Sequence, residues 1–197
     1  MTRPLPDLDP ATTALVLIDL QRGIAALSTE PRSSADVIRN AVRLVDAARK
    51  SGALVVLVHV SFAADGANMV RKDVEERPSM QLSPGWDEIV DELRPTEVDV
   101  VITKRQWGAF YGTNLDLELR RRGRKTIVLG GISTNFGVES TARDAFERNY
   151  QLIFVEDAMA GFRAEDHTFA ITRVFPRLGR VCSTADVLDA WRDTVTA

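Results

Sequence analysis

Four nearly continuous apolar runs, each followed by a segment of helical pattern, limit the fold of this chain more than any other feature of its sequence. The runs are LVLI at 15–18, LVVLV at 54–58, VDVVI at 98–102 and TIVLGGI at 126–132. Strands without a polar face are typical of a parallel sheet that is buried on both sides. Their alternation with helices predicts a three-layer α/β/α fold, in which right-handed crossovers place helices on both faces of an open sheet.

The predicted elements alternate along the chain. Strands are predicted at Ala14–Asp19, Ala53–Ser61, Val98–Thr103, Thr126–Ile132, Gln151–Val155 and Arg180–Ser183. Helices are predicted at Ser34–Ser51, Gly85–Leu93, Asn114–Arg122, Asn135–Asn149, Ala164–Phe175 and Thr184–Arg192. Gly52 and Gly123 are expected to end two of these helices, and Ser183 is expected to begin the last one. The patternless segment Phe62–Gly85 is longer than an ordinary loop and predicts a lid or a subunit contact.

Composition excludes several classes of function. The chain is 45% hydrophobic with a net charge of −3, which fits one globular domain over residues 1–197 with an extension at 1–13 and offers no basic footprint for nucleic acid. No apolar run is long enough for a membrane span, and the extension lacks the apolar core of a signal peptide. The single cysteine, Cys182, excludes an intramolecular disulfide and fits a reducing compartment, so a cytoplasmic protein is expected.

The turn after the fourth predicted strand is the strongest signal of a site. The sequence GGISTNFGVESTARDAFERN, from Gly130 to Asn149, leads a strand directly into a helix. Backbone N–H groups and the helix dipole at such a turn favour a developing negative charge, and a nucleophile would be placed there. The position that would hold it is Gly137, which has no side chain. Chemistry at this turn therefore proceeds without a covalent nucleophile at 137, or does not occur.

Four segments together resemble the isochorismatase-like hydrolases, also called the cysteine hydrolase superfamily. They are LVLIDLQRG at 15–23, ITKRQWGAFYGTNL at 102–115, the turn described above, and VEDAMAG at 155–161. The resemblance runs from Ala14 to Leu188, and the glycine at 137 is similar to a branch that lacks the nucleophilic cysteine. It implies an open six-stranded parallel sheet of order 3-2-1-4-5-6, with ligands bound at the switch point between strands one and four.

The resemblance also implies which residues form the site. Asp19 ends the first strand, Lys104 follows the third and Gly137 follows the fourth, so all three are expected at one crevice. The Ile132–Ser133 peptide is expected to be cis, and the N–H groups of Ser133 and Gly137 are expected to form an oxyanion hole. A neutral Asp19 would serve as an acid and a charged one as a base, and Lys104 favours the charged form. By position alone, Asp19 is as consistent with a carboxylate that caps a neighbouring loop as with a catalytic one. A lysine after a strand is, by position alone, typical of a solvent-facing side chain.

Residues next to these positions are candidates for substrate binding. They are Leu20, Gln21, Trp107, Phe110, Tyr111, Asn135 and Phe136. The aromatic side chains would wall a pocket for a small cyclic substrate, or would pack against another subunit of an expected homodimer or homotetramer. Glu139 and Arg143 are interpreted as a structural i, i+4 pair, and Asp144 and Asp157 as structural carboxylates. For Asp157, which follows the fifth predicted strand, a place at the rim of the pocket is the alternative.

No metal and no other cofactor is expected. Nicotinamidases of the superfamily bind a metal through an aspartate and histidines after the second strand, where this chain reads VVLVHVSFAADGAN at 55–68. His59 lies inside the predicted strand and His167 lies on a distant helix, so the two histidines do not form a metal site. Cys182 lies three strands from the first in the implied order and is interpreted as a buried apolar residue, not as a substitute nucleophile.

Three functions remain open at the level of sequence. Hydrolysis of a vinyl ether of the isochorismate type needs a proton on the vinyl carbon and water on the resulting cation, with Asp19 as the acid. This reaction needs no covalent nucleophile, although Gly108 stands where isochorismatases tend to have serine. Hydrolysis of a small C–N or C–O bond would instead use Asp19 to activate water. The third possibility is a catalytically silent metabolite binder or partner subunit.

Overall fold

The sheet has the predicted strand order and is parallel throughout. In the computed structural model, which describes residues 5, 8–70, 73 and 82–192, six strands are arranged as β3-β2-β1-β4-β5-β6. They are β1 (Thr13–Ile18), β2 (Leu54–Val60), β3 (Val100–Lys104), β4 (Thr126–Ile132), β5 (Gln151–Ala160) and β6 (Arg180–Cys182). Ile18 of β1 is in register with Val58 of β2 and with Gly131 of β4. The strand order reverses between β1 and β4, where open α/β sheets bind their ligands.

The α-helices follow the strands in the predicted alternation. They are α1 (Arg22–Ala25), α2 (Ser34–Ser51), α3 (Leu115–Arg121), α4 (Glu139–Glu147), α5 (Ala164–Phe169) and α6 (Thr184–Arg192). A π-helical turn at Thr134–Val138 directly precedes α4, and a second one at Ala170–Val174 directly follows α5. Short 3₁₀ turns lie at Asp91–Leu93 and Phe175–Arg177.

The ends of the longest helix show why the sequence places it there. Ser33 accepts a hydrogen bond from the Asp36 N–H at 3.1 Å and caps the first turn of α2. Gly52 ends the helix in the left-handed conformation at φ 83°, which a side chain rarely adopts. At α6, the Ser183 hydroxyl accepts from the Asp186 N–H while the Asp186 carboxylate accepts from the Ser183 N–H. The predicted caps of both helices are therefore confirmed.

The core consists of two apolar clusters, one on each face of the sheet. β1 contributes to both, because Ala14, Val16 and Ile18 lie in one cluster while Leu15 and Leu17 lie in the other. Every residue of β1 is buried. A central strand covered on both faces explains why its sequence has no polar alternation. The predicted three-layer arrangement is confirmed.

Two predicted elements are corrected. The helix predicted at Gly85–Leu93 is wrong, because the backbone of this segment bonds to the chain after β1: the Arg22 N–H donates to the Glu88 carbonyl and the Val90 N–H to the Leu20 carbonyl. These long-range bonds replace helical ones and leave a single 3₁₀ turn. β5 also continues five residues beyond the predicted end at Val155, after a register shift opposite β4.

Part of the predicted lid at Phe62–Gly85 lies outside the described residues, namely 71–72 and 74–81. At the near end of this segment, the ring of Phe62 stacks on that of Trp86 with centroids 5.8 Å apart. Among the helices that the structure describes, none is long and apolar enough to cross a membrane.

Candidate active site

The carboxyl ends of β1 and β3 bring a carboxylate and an ammonium together inside the protein. Asp19 directly follows β1, and Lys104 is the last residue of β3, two strands away. The Lys104 ammonium reaches over the end of β2 and donates to Asp19 Oδ2 at 2.7 Å. The two side chains are 2% and 9% exposed, so the ion pair is almost fully removed from water. Such a pair is stabilising only when its remaining polar groups are also satisfied.

Burial dominates the electrostatics of Asp19. Removal from water raises the pKa of its carboxyl to about 6, although the charge and hydrogen bond of Lys104 pull in the opposite direction. Oδ1 is buried and has no hydrogen-bond partner among the residues that the structure describes. The carboxyl is therefore held on Oδ2 by Lys104, and its pKa is close enough to neutral for both protonation states to be populated.

A second contact fixes the ammonium of Lys104. Nζ also donates to the backbone carbonyl of Gln106 at 3.1 Å, in the loop that follows β3. The Gln106 side chain donates in turn to the Gly108 and Tyr111 carbonyls, which folds this loop upon itself. The position of the ammonium consequently depends on the shape of the loop.

The turn after β4 faces this pair. The Ile132–Ser133 peptide is cis, at the bond for which the resemblance implies it. The preceding Gly131 has φ 124°, and a Cβ there would lie 2.1 Å from the Ile18 carbonyl oxygen, so only glycine fits. After the turn, the Ser133 hydroxyl donates to Asn135 Oδ1 at 2.8 Å. The backbone thus approaches β1 more closely than any side chain would allow.

Gly137 is adjacent to both members of the ion pair. A Cβ built at this position would lie 3.1 Å from Asp19 Oδ2 and 3.6 Å from Lys104 Nζ. The same atom would lie 2.9 Å from a methyl group of Ile18, so a side chain here requires a small shift of that residue. A side chain at position 137 would therefore contact the pair, and with glycine there the charged side chains at this point are those of Asp19 and Lys104.

Only some of the predicted aromatic residues lie beside the turn. Phe136 contacts Trp107, with ring centroids 4.9 Å apart, and Phe162, with centroids 6.5 Å apart. Trp107 is 54% exposed and Tyr111 is 76% exposed. Phe110 is buried in the core, where its ring packs on Tyr150 and not on Phe136 or Trp107. Phe162, which is not among the predicted residues, lies two residues beyond the end of β5.

Leu20 and Gln21, the two residues after Asp19, are both buried. Leu20 is buried in the core cluster on one face of the sheet. Gln21 is fully buried, and its amide clamps the end of β2: Nε2 donates to the Val60 carbonyl at 3.0 Å, and Oε1 accepts from the Val60 N–H at 2.8 Å. The side chain of Leu20 is thus used for packing and that of Gln21 for hydrogen bonds, while their role in substrate binding stays a prediction.

A buried histidine supports the turn from the other side. His167 Nδ1 lies 2.8 Å from the hydroxyl of Thr134, which directly follows Ser133. Burial, together with the positive charge of Arg32, lowers the pKa of His167, so its imidazole is neutral at neutral pH. Sequence reasoning set His167 aside because it lies far along the chain, and no spacing connects it with Thr134.

The two histidines serve separate hydrogen-bond networks. His59 contacts the Asp87 carbonyl at 2.7 Å and the Thr103 hydroxyl at 2.8 Å, on β2 and its neighbours. Within the described residues, no group of three or more histidine, cysteine or acidic side chains has the geometry to hold a metal ion.

The remaining candidates have structural partners. Asp157 accepts from the N–H and hydroxyl of Thr184 and caps α6, and Glu139 pairs with Arg143 at 2.8 Å. Asp144 pairs with Arg148 at 2.8 Å. Cys182 ends β6 at the sheet edge, and burial raises the pKa of its thiol to about 12. A thiol that stays protonated is a poor nucleophile, so it does not replace the missing group at 137.

Comparison with known proteins identifies a family model, curated proteins and solved structures that are similar to this chain. The chain matches the model of the isochorismatase domain over residues 13–186. It is 45% identical over 185 residues to the uncharacterised isochorismatase family protein YecD of Escherichia coli O157:H7, which covers 93% of this chain and 98% of that protein. It is 35% identical over 184 residues to the ureidoacrylate amidohydrolase RutB of Rhizobium rhizogenes, covering 79% and 74% of the two chains. A solved structure of an isochorismatase family protein from Burkholderia thailandensis superposes with a TM-score of 0.90 at 44% identity, over 98% of this chain and 100% of that one.

Proposed function

The chain belongs to the isochorismatase family, and we propose that it hydrolyses a small-molecule metabolite with Asp19 as the proton-transfer group and without a covalent nucleophile. The observation that carries the proposal is the buried carboxyl of Asp19, which has a pKa of about 6, pairs with Lys104 and lies beside Gly137. A carboxyl with this pKa is roughly one-tenth protonated at pH 7 and passes a proton in either direction.

Vinyl-ether cleavage is the reaction that this site supports best. Asp19 gives its proton to the terminal vinyl carbon, and the neighbouring ether carbon becomes an oxocarbenium ion. Water adds to that carbon and loses a proton to the Asp19 carboxylate, and the resulting hemiketal collapses to a ketone and an alcohol. The ammonium of Lys104, 2.7 Å from Asp19, stabilises the carboxylate that exists between the two proton transfers. No step requires a side chain at 137.

The substrate would lie against the aromatic rings of Trp107 and Phe136. These rings contact each other beside Gly137, and Trp107 is partly open to solvent. A planar, unsaturated ring would stack on such a surface. The N–H groups of Ser133 and Gly137 would bind an anionic oxygen of the substrate, in keeping with their place at the start of a helical segment.

Hydrolysis of a small C–N bond is the second candidate. The likeness to the RutB ureidoacrylate amidohydrolase, at 35% identity, favours it. In that case the charged form of Asp19 would take a proton from water, and the turn amides would hold the oxyanion. The reaction would have to proceed by direct attack of water, because Gly137 provides no group for a covalent intermediate.

Turnover assays with an Asp19→Asn variant test the proposal. The purified protein is assayed against isochorismate, other vinyl ethers, small amides and ureas. The matched control is Asp46→Asn, since Asp46 is an exposed carboxylate on α2 and is not part of the site. We expect turnover by the wild type and by the control, and its loss in Asp19→Asn. Full activity of Asp19→Asn would refute the role of Asp19, and tight metabolite binding without any turnover would show a binding protein.

A further inference from the structure

We propose that Thr141 is a positioning residue whose buried hydroxyl fixes the loop after Lys104 to the turn at Gly137, and so sets the contact between Lys104 and Asp19. The inference rests on the proposed function for its kinetic meaning. The placement of the Lys104 ammonium, however, can be tested without a substrate.

The hydroxyl of Thr141 joins two distant parts of the chain. Thr141 lies in the first turn of α4 and is fully buried. Its Oγ1 donates to the Gly137 carbonyl at 2.7 Å and accepts from the Ala109 N–H at 3.1 Å. A hydroxyl has one hydrogen to donate and two lone pairs, so both bonds form at once. The loop after β3 is thereby tied to the helix that carries the turn.

The same loop holds the ammonium of Lys104. The Gln106 carbonyl accepts from Lys104 Nζ, and the Gln106 side chain bridges the Gly108 and Tyr111 carbonyls on either side of Ala109. Because the loop is closed on itself by these bonds, a shift at Ala109 moves the Gln106 carbonyl as well. The ammonium would then lose its 2.7 Å contact with Asp19 Oδ2.

The electrostatic consequence has a definite sign. Lys104 and, more weakly, His59 are the charged or titratable side chains that lower the pKa of Asp19 against the effect of burial. Withdrawal of the ammonium weakens the attraction, so the pKa of Asp19 rises further above about 6. Thr141 therefore acts on the proton affinity of Asp19 through Ala109, Gln106 and Lys104, and forms no hydrogen bond of its own to Asp19 or Lys104 in this network.

Two substitutions at the same position separate the hydroxyl from the rest of the side chain. Thr141→Val keeps the shape and removes both hydrogen bonds, whereas Thr141→Ser keeps the hydroxyl. We would titrate the carboxyl of Asp19 by ¹³C NMR in protein labelled at aspartate, with the signal assigned by its disappearance in Asp19→Asn. In Thr141→Val we expect the pKa of Asp19 to rise by roughly half a unit or more, and in Thr141→Ser to stay at the wild-type value.

Kinetics supply the second readout. Misplacement of the reacting groups in Thr141→Val is expected to lower kcat about 10- to 100-fold, with the pH midpoint moved in the direction of the NMR titration. A folded Thr141→Val protein with an unchanged Asp19 pKa would overturn the inference, as would Thr141→Ser behaving like Thr141→Val. If Thr141→Val does not fold, Thr141→Ala replaces it, with the same two outcomes. Since the titration needs no turnover, it fails or succeeds independently of the Asp19→Asn assays.

Discussion

Replacement of Lys104 by methionine should move the proton affinity of Asp19 and also distinguish the two candidate reactions. Methionine keeps the length and apolar stem of the side chain and removes the ammonium that lies 2.7 Å from Asp19 Oδ2. An opposite charge this close lowers a carboxyl pKa by roughly 1–3 units, so its loss should raise the pKa of Asp19 from about 6 by a similar amount. The corresponding free energy is about 1.4–4 kcal/mol.

The sign of the change in activity depends on which form of Asp19 reacts. If Asp19 acts as an acid, activity falls as pH rises through its pKa, and in Lys104→Met this fall moves to higher pH. If Asp19 acts as a base, activity rises through the same pKa, and Lys104→Met loses half or more of its activity at pH 7 because at least half of the carboxyl is then protonated. Lys50→Met is the matched control, since Lys50 is exposed near the end of α2.

The measurements are a ¹³C carboxyl titration and pH profiles of kcat/KM for wild type, Lys104→Met and the control. An Asp19 pKa in Lys104→Met that equals or lies below the wild-type value would refute the reasoning, because it would mean that the ammonium does not stabilise the carboxylate. A shift in the titration with no shift in the kinetic profile would show instead that Asp19 is not the group whose ionisation limits turnover.

Three further changes have definite expected outcomes. Because the folded-state pKa of Asp19 is about 6 and its ordinary value is 3.8, the stability that its protonated form contributes is greatest below pH 3.8 and is lost as pH rises through 6. The free energy of unfolding should therefore fall by about 2 kcal/mol relative to Asp19→Asn between pH 4 and 7, as measured by urea titration. Gly137→Cys should place a thiol beside the ion pair, so mass spectrometry should find it alkylated by iodoacetamide faster than Cys182, and equal rates would contradict the geometry. Gly131→Ala should lower the free energy of unfolding by roughly 3 kcal/mol or more, or prevent folding. Gly52 also has a positive φ but has nothing near its Cβ, so Gly52→Ala should lower the free energy of unfolding by only about 1–2 kcal/mol. Similar melting temperatures of the two variants would show that crowding at Gly131 is absent.

Uninterrupted apolar runs were sufficient to predict the strands, because a central parallel strand such as β1 is buried along its whole length. The helix predicted at Gly85–Leu93 is wrong because long-range backbone hydrogen bonds to residues after β1 outweigh the local helix propensity of this segment. The end of β5 was missed because Glu156 and Asp157 lie inside the strand but at the open end of the sheet, where polar side chains find partners.

The candidate site was predictable in its main groups and not in its supports. Asp19 and Lys104 follow strands, and parallel strands bring their carboxyl ends to one edge, so their meeting follows from the strand order. The direction of a side chain beyond the strand is not encoded in spacing, which is why Phe110 was expected at a pocket and lies in the core. Hydroxyls such as that of Thr141 bond across 32 residues of sequence, and only the folded structure brings their partners together.

The separation of Asp19 and Lys104 along the chain, 85 residues, has a consequence for when the protein can first react. The pair does not exist in any fragment that ends before β3, and it requires β2 to be in place between the two strands that carry it. Contacts of such long range form late in folding, after the loops that connect them have closed. A chain in which β2 is not yet in place therefore lacks the buried pair even when both side chains have been synthesised, and under the proposed function its activity requires the completed sheet.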